Sequence, residues 1–145
     1  EDLGLFGRLA SQDVAERDQQ ASRDALLAFR QLVEQFPDSK YAPDARVRID
    51  FITNTLAASE VHVARYYYNR KAYVAAANRA QAAVTEFETA PAAEEALYIM
   101  VQSYDKLGLT ELRDGAEKVL KASFPKTAFL GLDEKSKEKK WWKFW

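Results

Sequence analysis

His62 is the only histidine in the chain, and no cysteine exists to join it. A metal ion held there would need carboxylates nearby, yet the positions three and four residues away on a helix are Ala58, Ser59, Arg65 and Tyr66. Neither metal ligation nor general-base chemistry has a second group to work with, so His62 reads as a surface or packing residue. Carboxylate pairs such as Glu94-Glu95, just after Pro91, read as charges in the first turn of a helix. There is no Gly-rich phosphate loop and no nucleophile motif. The absence of Cys removes disulfides, zinc-thiolate sites and a thiol nucleophile. No catalysis is expected of these residues, and no cofactor or metal.

Residues suited to holding another protein are easier to find. In Tyr66-Tyr67-Tyr68-Asn69-Arg70-Lys71-Ala72-Tyr73, successive helical side chains point about 100° apart, so three adjacent tyrosines cannot all face a core. Tyr67 falls on a core position of the repeat described below, which leaves Tyr66 or Tyr68 exposed beside Arg70. Exposed Tyr next to Arg is a common interface composition. Arg79 stands among Ala75, Ala76, Ala77, Ala80, Ala82 and Ala83, so its guanidinium projects beyond short neighbours toward any partner carboxylate. The tail is different again. From Lys126 onward there are six Lys against three acids, and Trp141, Trp142 and Trp145 are all the tryptophans of the chain. Lys139, Lys140, Trp141, Trp142 and Trp145 therefore form a candidate anchor for a membrane surface, or a segment that docks into a groove.

These residues need elements to position them. At 145 residues the chain is one ordinary domain in size, 48% apolar and 30% charged, with net charge −1. That balance does not recommend nucleic acid as a partner. Five Gly and four Pro are few breakers for so many Ala, Leu, Glu, Arg and Gln, which argues for an all-α chain. No apolar run approaches the roughly 20 residues of a membrane-spanning helix. The chain opens on Glu1 without an initiator Met, so it reads as a piece of something longer.

Residues 1–20, with Gly4, Gly7 and a polar run from Ser11 to Gln20, suggest a loop. Ala25, Phe29, Leu32, Val33 and Phe36 then make an apolar stripe, ended by Pro37-Asp38-Ser39. A second helix opens at Pro43 and carries Val47, Ile49, Phe51, Ile52 and Leu56. A third spans Glu60 to Asn69, a fourth about Ala72 to Phe87, and a fifth runs from Pro91 to a Gly108 cap. The sixth, from a Thr110 cap, ends near Phe124. Short connections make neighbouring helices antiparallel. The expected divisions are an N-terminal remnant (1–20), a helical domain (21–125) and the Lys/Trp tail (126–145).

The chain also repeats itself. Ala25-x3-Phe29-x2-Leu32-x3-Phe36-Pro37 recurs as Ala76-x3-Ala80-x2-Ala83-x3-Phe87-Glu88, and more loosely as Arg113-x3-Glu117-x2-Leu120-x3-Phe124-Pro125. Phe36, Phe87 and Phe124 mark equivalent helix ends, 51 and then 37 residues apart. The pattern resembles the tetratricopeptide repeat, nominally 34 residues of helix–turn–helix. The 51-residue interval calls for an additional or extended helix between Ala42 and Asn69. The first repeat shows its second helix alone. One pair cannot bury its own apolar face, so pairs stack into a right-handed superhelix with a concave, protein-binding surface.

At family level the residues resemble BamD, also called ComL, the tetratricopeptide lipoproteins of the outer-membrane β-barrel assembly machine. The resemblance rests on Leu5-Phe6-Gly7 and on Ala28-Phe29-x2-Leu32-Val33-x2-Phe36-Pro37-Asp38-Ser39-x-Tyr41-x2-Asp44-Ala45. Its most specific part is Val63-Ala64-x-Tyr66-Tyr67-x2-Arg70-x-Ala72-Tyr73-Val74-Ala75-x2-Asn78-Arg79, and it ends near Ala116-Glu117-Lys118-Val119. It implies a series of such repeats behind a lipidated Cys, on the periplasmic face of the outer membrane, with this chain as the C-terminal part. The implied partners are the POTRA region of BamA and the small lipoproteins of the machine. Unfolded outer-membrane proteins are implied as substrates, chiefly of the other half. It places Arg79 at the BamA contact, with Tyr66 and Arg70 in the same segment, and does not cover the Lys/Trp tail. Without the resemblance, a generic adaptor that takes extended peptides into its groove fits the same residues.

Overall fold

The computed structural model describes the backbone of residues 3–129 and the side chains of residues 17–129. Five α-helices follow one another: α1 (Leu3–Gln35), α2 (Ala42–Asn69), α3 (Tyr73–Glu86), α4 (Ala92–Lys106) and α5 (Thr110–Ser123). No strand occurs among the described residues. The all-α, tetratricopeptide-like reading holds, with four differences in detail.

Residues 3–20, expected as a loop, are the first part of α1. The polar run from Ser11 to Gln20 contains Ala15, Glu16, Arg17, Gln19 and Gln20, which favour a helix whatever their polarity. Farther along, Ser22 Oγ donates to the Asp18 carbonyl at 2.8 Å and Gln20 Nε2 donates to Asp24 Oδ1 at 2.9 Å. Such one-turn contacts suit a polar helix. The expected second and third helices are one, since Ala57-Ala58-Ser59 offers no breaker between them. This 28-residue helix accounts for the long interval between repeats. Thr110 is the first residue of α5 rather than its cap; Leu109 takes the cap position and makes no side-chain hydrogen bond. The tail does not begin at Lys126, because Phe129 stacks on Tyr98 with centroids 5.0 Å apart.

The repeat is visible in the backbone. The amides of Phe36, Phe87 and Phe124 donate to the carbonyls of Leu32, Ala83 and Leu120, each at 2.9 Å. Three residues later Ser39, Ala90 and Thr127 donate back to those Phe carbonyls, at 3.1, 2.9 and 3.0 Å. Ala42 and Ala93 then close the same turn onto Ser39 and Ala90. Phe36, Phe87 and Phe124 thus end equivalent helices, as their spacing predicts.

The chain divides into two compact units, Glu1–Leu56 and Ala57–Trp145. In the first, Leu26, Ala42, Ala45 and Leu56 are buried, with Phe29, Leu32, Val33, Ile49 and Ile52 half-buried. Phe36, Val47 and Phe51, expected in apolar stripes, are exposed at 59%, 67% and 72%. Helical spacing places residues on a face, but only a neighbour can bury that face.

The second unit holds the main described core. Val61, Ala64 and Tyr68 of α2, Ala76, Ala80 and Ala83 of α3, Ala96 to Ile99 of α4 and Leu120 of α5 pack together. The Ala-rich face of α3 brings backbones close, as its composition predicts, and α4 packs against both α3 and α5. Each fully buried large side chain, such as Phe87, Ile99 or Leu120, contributes roughly 1.5–3 kcal/mol of burial. Arg65 of α2 reaches α4, where Nε and Nη2 meet Glu95 Oε1 at 2.8 and 2.5 Å. Arg113 clips α5 to α4 through Asp105 at 3.1 Å. Hydrogen bonds to Asp114 first, then Asp105, hold the Arg113 guanidinium above the usual arginine range.

Candidate partner-binding surface

The C-terminal end of α2 decides which tyrosines are available. Tyr68 is buried at 6% and sits edge-on to Tyr73, with centroids 5.3 Å apart. Tyr67 is half-buried against the core, and Tyr66 is 51% exposed. Of the two alternatives for the outward residue, the structure selects Tyr66. The Arg70 guanidinium, one turn later on the same face, lies over the Tyr66 ring at 4.8 Å. This cation–π stack orders a long side chain at the surface, so less entropy is lost when a partner binds it.

Helix α2 ends immediately after this pair, in a tight hydrogen-bonded cap. The Lys71 amide donates to the Tyr68 carbonyl at 2.8 Å and the Ala72 amide to the Tyr67 carbonyl at 3.0 Å. That pairing requires a left-handed residue between them, and Lys71 takes it at φ 63°. The same closure ends α4, where Gly108 has φ 72° and Leu109 donates to the Tyr104 carbonyl at 2.9 Å. The Gly108 cap was legible from the sequence. The Lys71 cap was not, because glycine is the usual signal.

Beside this turn lies an open groove of about 490 Å³, lined by Lys71, Ala72, Tyr73, Val74, Ala75, Asn78 and Leu107. Val74 is 59% exposed there and Leu107 36%. Sequence reasoning missed the groove because Leu107 is far from Val74 along the chain. Exposed apolar residues on both sides of a helix turn are the signal that could have found it.

Arg79 is placed differently. Its Nη1 lies 3.5 Å from Glu60 Oε2, and its side chain is 51% exposed. The projecting guanidinium therefore already faces a carboxylate of its own chain. Glu60 on α2 lies six residues before Tyr66, about 9 Å along the axis. The structure thus brings Tyr66 and Arg70 together and sets Arg79 apart, at a second position on the α2–α3 pair. His62 is exposed, and among the described residues no His, Cys, Asp or Glu cluster is placed to hold a metal. Lys139, Lys140, Trp141, Trp142 and Trp145 lie outside the described residues. No described helix is long and apolar enough to cross a membrane.

The model of the YfiO outer membrane lipoprotein family matches residues 3–120. The chain belongs to that family. Outer membrane protein assembly factor BamD from Neisseria meningitidis serogroup A is 42% identical over 145 residues, all of this chain and 54% of that protein. BamD from Haemophilus influenzae is 37% identical over 115 residues, 79% of this chain and 44% of its own length. BamD from Caulobacter vibrioides is 38% identical over 111 residues, 75% and 36% of the two chains. The chain spans about half the length of the Neisseria relative it matches.

Proposed function

We propose that this chain is a non-catalytic scaffold of the outer-membrane β-barrel assembly machine, and that it holds the periplasmic POTRA region of BamA. The relatives' names, outer membrane protein assembly factor, supply the setting. On this reading the whole protein works at the periplasmic face of the outer membrane, held there by a lipid anchor, beside the other lipoproteins of the machine. Unfolded outer-membrane proteins are its substrates. The observation that carries the binding mode is the exposed Tyr66–Arg70 stack, next in sequence to Lys71, which lines an apolar groove. An ordered aromatic and a guanidinium at one place give a partner a surface to pack on and a charge to pair with.

Arg79 supplies a second contact. Its guanidinium rests on Glu60 at 3.5 Å, longer than an ordinary charge-assisted hydrogen bond, so a partner carboxylate competes for it at modest cost.

The test is titration of this chain with the isolated POTRA region of BamA, repeated with Arg70→Ala and with Arg79→Ala. Truncating an arginine buried by the partner should cost about 2 kcal/mol, roughly 30-fold in affinity. Thermal melting of each variant separates a lost contact from a lost fold. Unchanged affinity in both variants would remove these residues from the interface. Tight binding of an isolated C-terminal barrel peptide, with none to POTRA, would favour the adaptor that captures extended peptides; the groove at Val74 and Leu107 is the feature suited to that role.

A further inference from the structure

The open groove where the end of α2, the start of α3 and the end of α4 meet combines two kinds of surface. Val74 and Leu107 are exposed apolar side chains, one on α3 and one just past α4, and most of the remaining lining is apolar as well. Asn78, one turn beyond Val74 on the same face, adds a carboxamide that both donates and accepts. At about 490 Å³ the groove falls in the size range of sites that take up a ligand.

Lys71 supplies the charge. It lines the groove, and among the described residues it makes no ion pair. Arg70 before it and Lys106, next to Leu107, make none either. The first turn of α3 contains no acidic residue, whereas those of α4 and α5 contain Glu94, Glu95 and Glu111. Asp105, two residues before Leu107, is already engaged by Arg113 at 3.1 Å. The groove therefore has a cation and no carboxylate of its own.

The backbone singles out the same residue independently. Two helices end in one kind of closure, α4 with Gly108 at φ 72° and α2 with Lys71 at φ 63°. Glycine takes that conformation without strain, and lysine does not. Strain kept at an exposed residue points to a use for its side chain.

Such a groove discriminates among occupants. A wholly apolar segment leaves the ammonium without a counter-charge, and a basic one is repelled. An acidic segment without an apolar residue leaves Val74 and Leu107 uncovered. An extended segment satisfies both, because side chains two residues apart point to one side, roughly 6.6 Å from each other. Asn78 offers its carboxamide to the backbone between them. The groove is open, so the chain continues past it and the carboxylate belongs to a side chain.

We propose that the groove at Lys71, Val74, Asn78 and Leu107 binds an extended segment of a partner protein, with an apolar side chain on Val74 and Leu107 and a side-chain carboxylate on Lys71. This rests on reading the chain as a protein-holding scaffold, and not on the POTRA region being what it holds.

Two probes of that chemistry test it on the 145-residue chain. Anilinonaphthalene sulfonate joins an apolar ring system to an anion, and its emission should rise on binding. Val74→Glu and Leu107→Glu should each remove most of that rise, with far-UV circular dichroism and melting temperature unchanged, because both side chains are exposed. An acetylated, amidated peptide with Leu and Asp two residues apart should displace the dye. The same peptide with Asn for Asp should need about tenfold more, and Lys71→Glu should reverse that order. Lys71→Gly, which keeps the turn and relaxes it, should lose the preference for Asp while remaining folded. Emission indifferent to the groove variants would overturn the proposal, as would equal displacement by the Asp and Asn peptides. Displacement only by a peptide whose carboxylate is its free C-terminus would assign the groove to chain ends and overturn it as well. Peptide binding by a chain that ignores POTRA would uphold the groove and remove the BamA reading; POTRA binding without peptide binding would do the reverse.

Discussion

Lys71 occupies a backbone conformation that costs an L-residue roughly 1 kcal/mol or more, and it does so beside Arg70, at the end of the exposed Tyr66 face. The cap itself is supplied by backbone hydrogen bonds from Lys71 and Ala72, so the side chain is not what the turn requires. Lys71→Gly should therefore raise stability by about 0.5–1 kcal/mol in chemical denaturation. If the lysine instead contributes to partner binding, the same variant should bind POTRA more weakly while being more stable, and no purely structural role does that. Ser103 raises a related question in the core. It is fully buried in α4, and its Oγ has no hydrogen-bond partner within the described structure. Removing a buried, unbonded hydroxyl and gaining helix propensity should make Ser103→Ala about 1 kcal/mol more stable, read as a higher melting temperature. A loss of stability would mean that the hydroxyl is bonded in solution.

At the scale of elements, α2 carries Tyr66 next to its end, and an ion pair links α2 to α4. Arg65 and Glu95, with side chains only 22% and 18% exposed, link the two helices across the core's edge. A partly buried pair is strongly felt when one partner is removed, because the other is left without its charge. Arg65→Ala alone should cost about 2 kcal/mol, and a cycle with Glu95→Gln should return a coupling of about 1–2 kcal/mol. Additive single and double variants would show the link to be incidental. The helix ends follow a similar division of labour: backbone closures at Lys71 and Gly108 stop α2 and α4, and no side-chain cap starts α3, α4 or α5. Repeated turn geometry, rather than strong local caps, defines these boundaries.

At the scale of the molecule, the main described core lies in the second unit, where residues of four helices meet around Tyr98, Ile99 and Leu120. Leu120→Ala should lower stability by about 2–5 kcal/mol, as expected where a fully buried leucine leaves a cavity. Phe51→Ala, at a side chain 72% exposed, should change it by less than about 0.5 kcal/mol. Equal effects in a denaturant titration would mean that Phe51 is covered in solution. Composition and period alone were enough for an all-helical chain, for α3, α4 and most of α5, and for the equivalence of Phe36, Phe87 and Phe124, because those features arise from local propensity and from turns closed by near neighbours. The stretch from Val63 to Arg79 was enough to point to the family. Tertiary packing decided the rest. It selected Tyr66 over Tyr68, set Glu60 against Arg79 and brought Leu107 beside Val74. Each of these depends on which groups meet across helices, and a spacing rule along one helix carries no information about what stands opposite it.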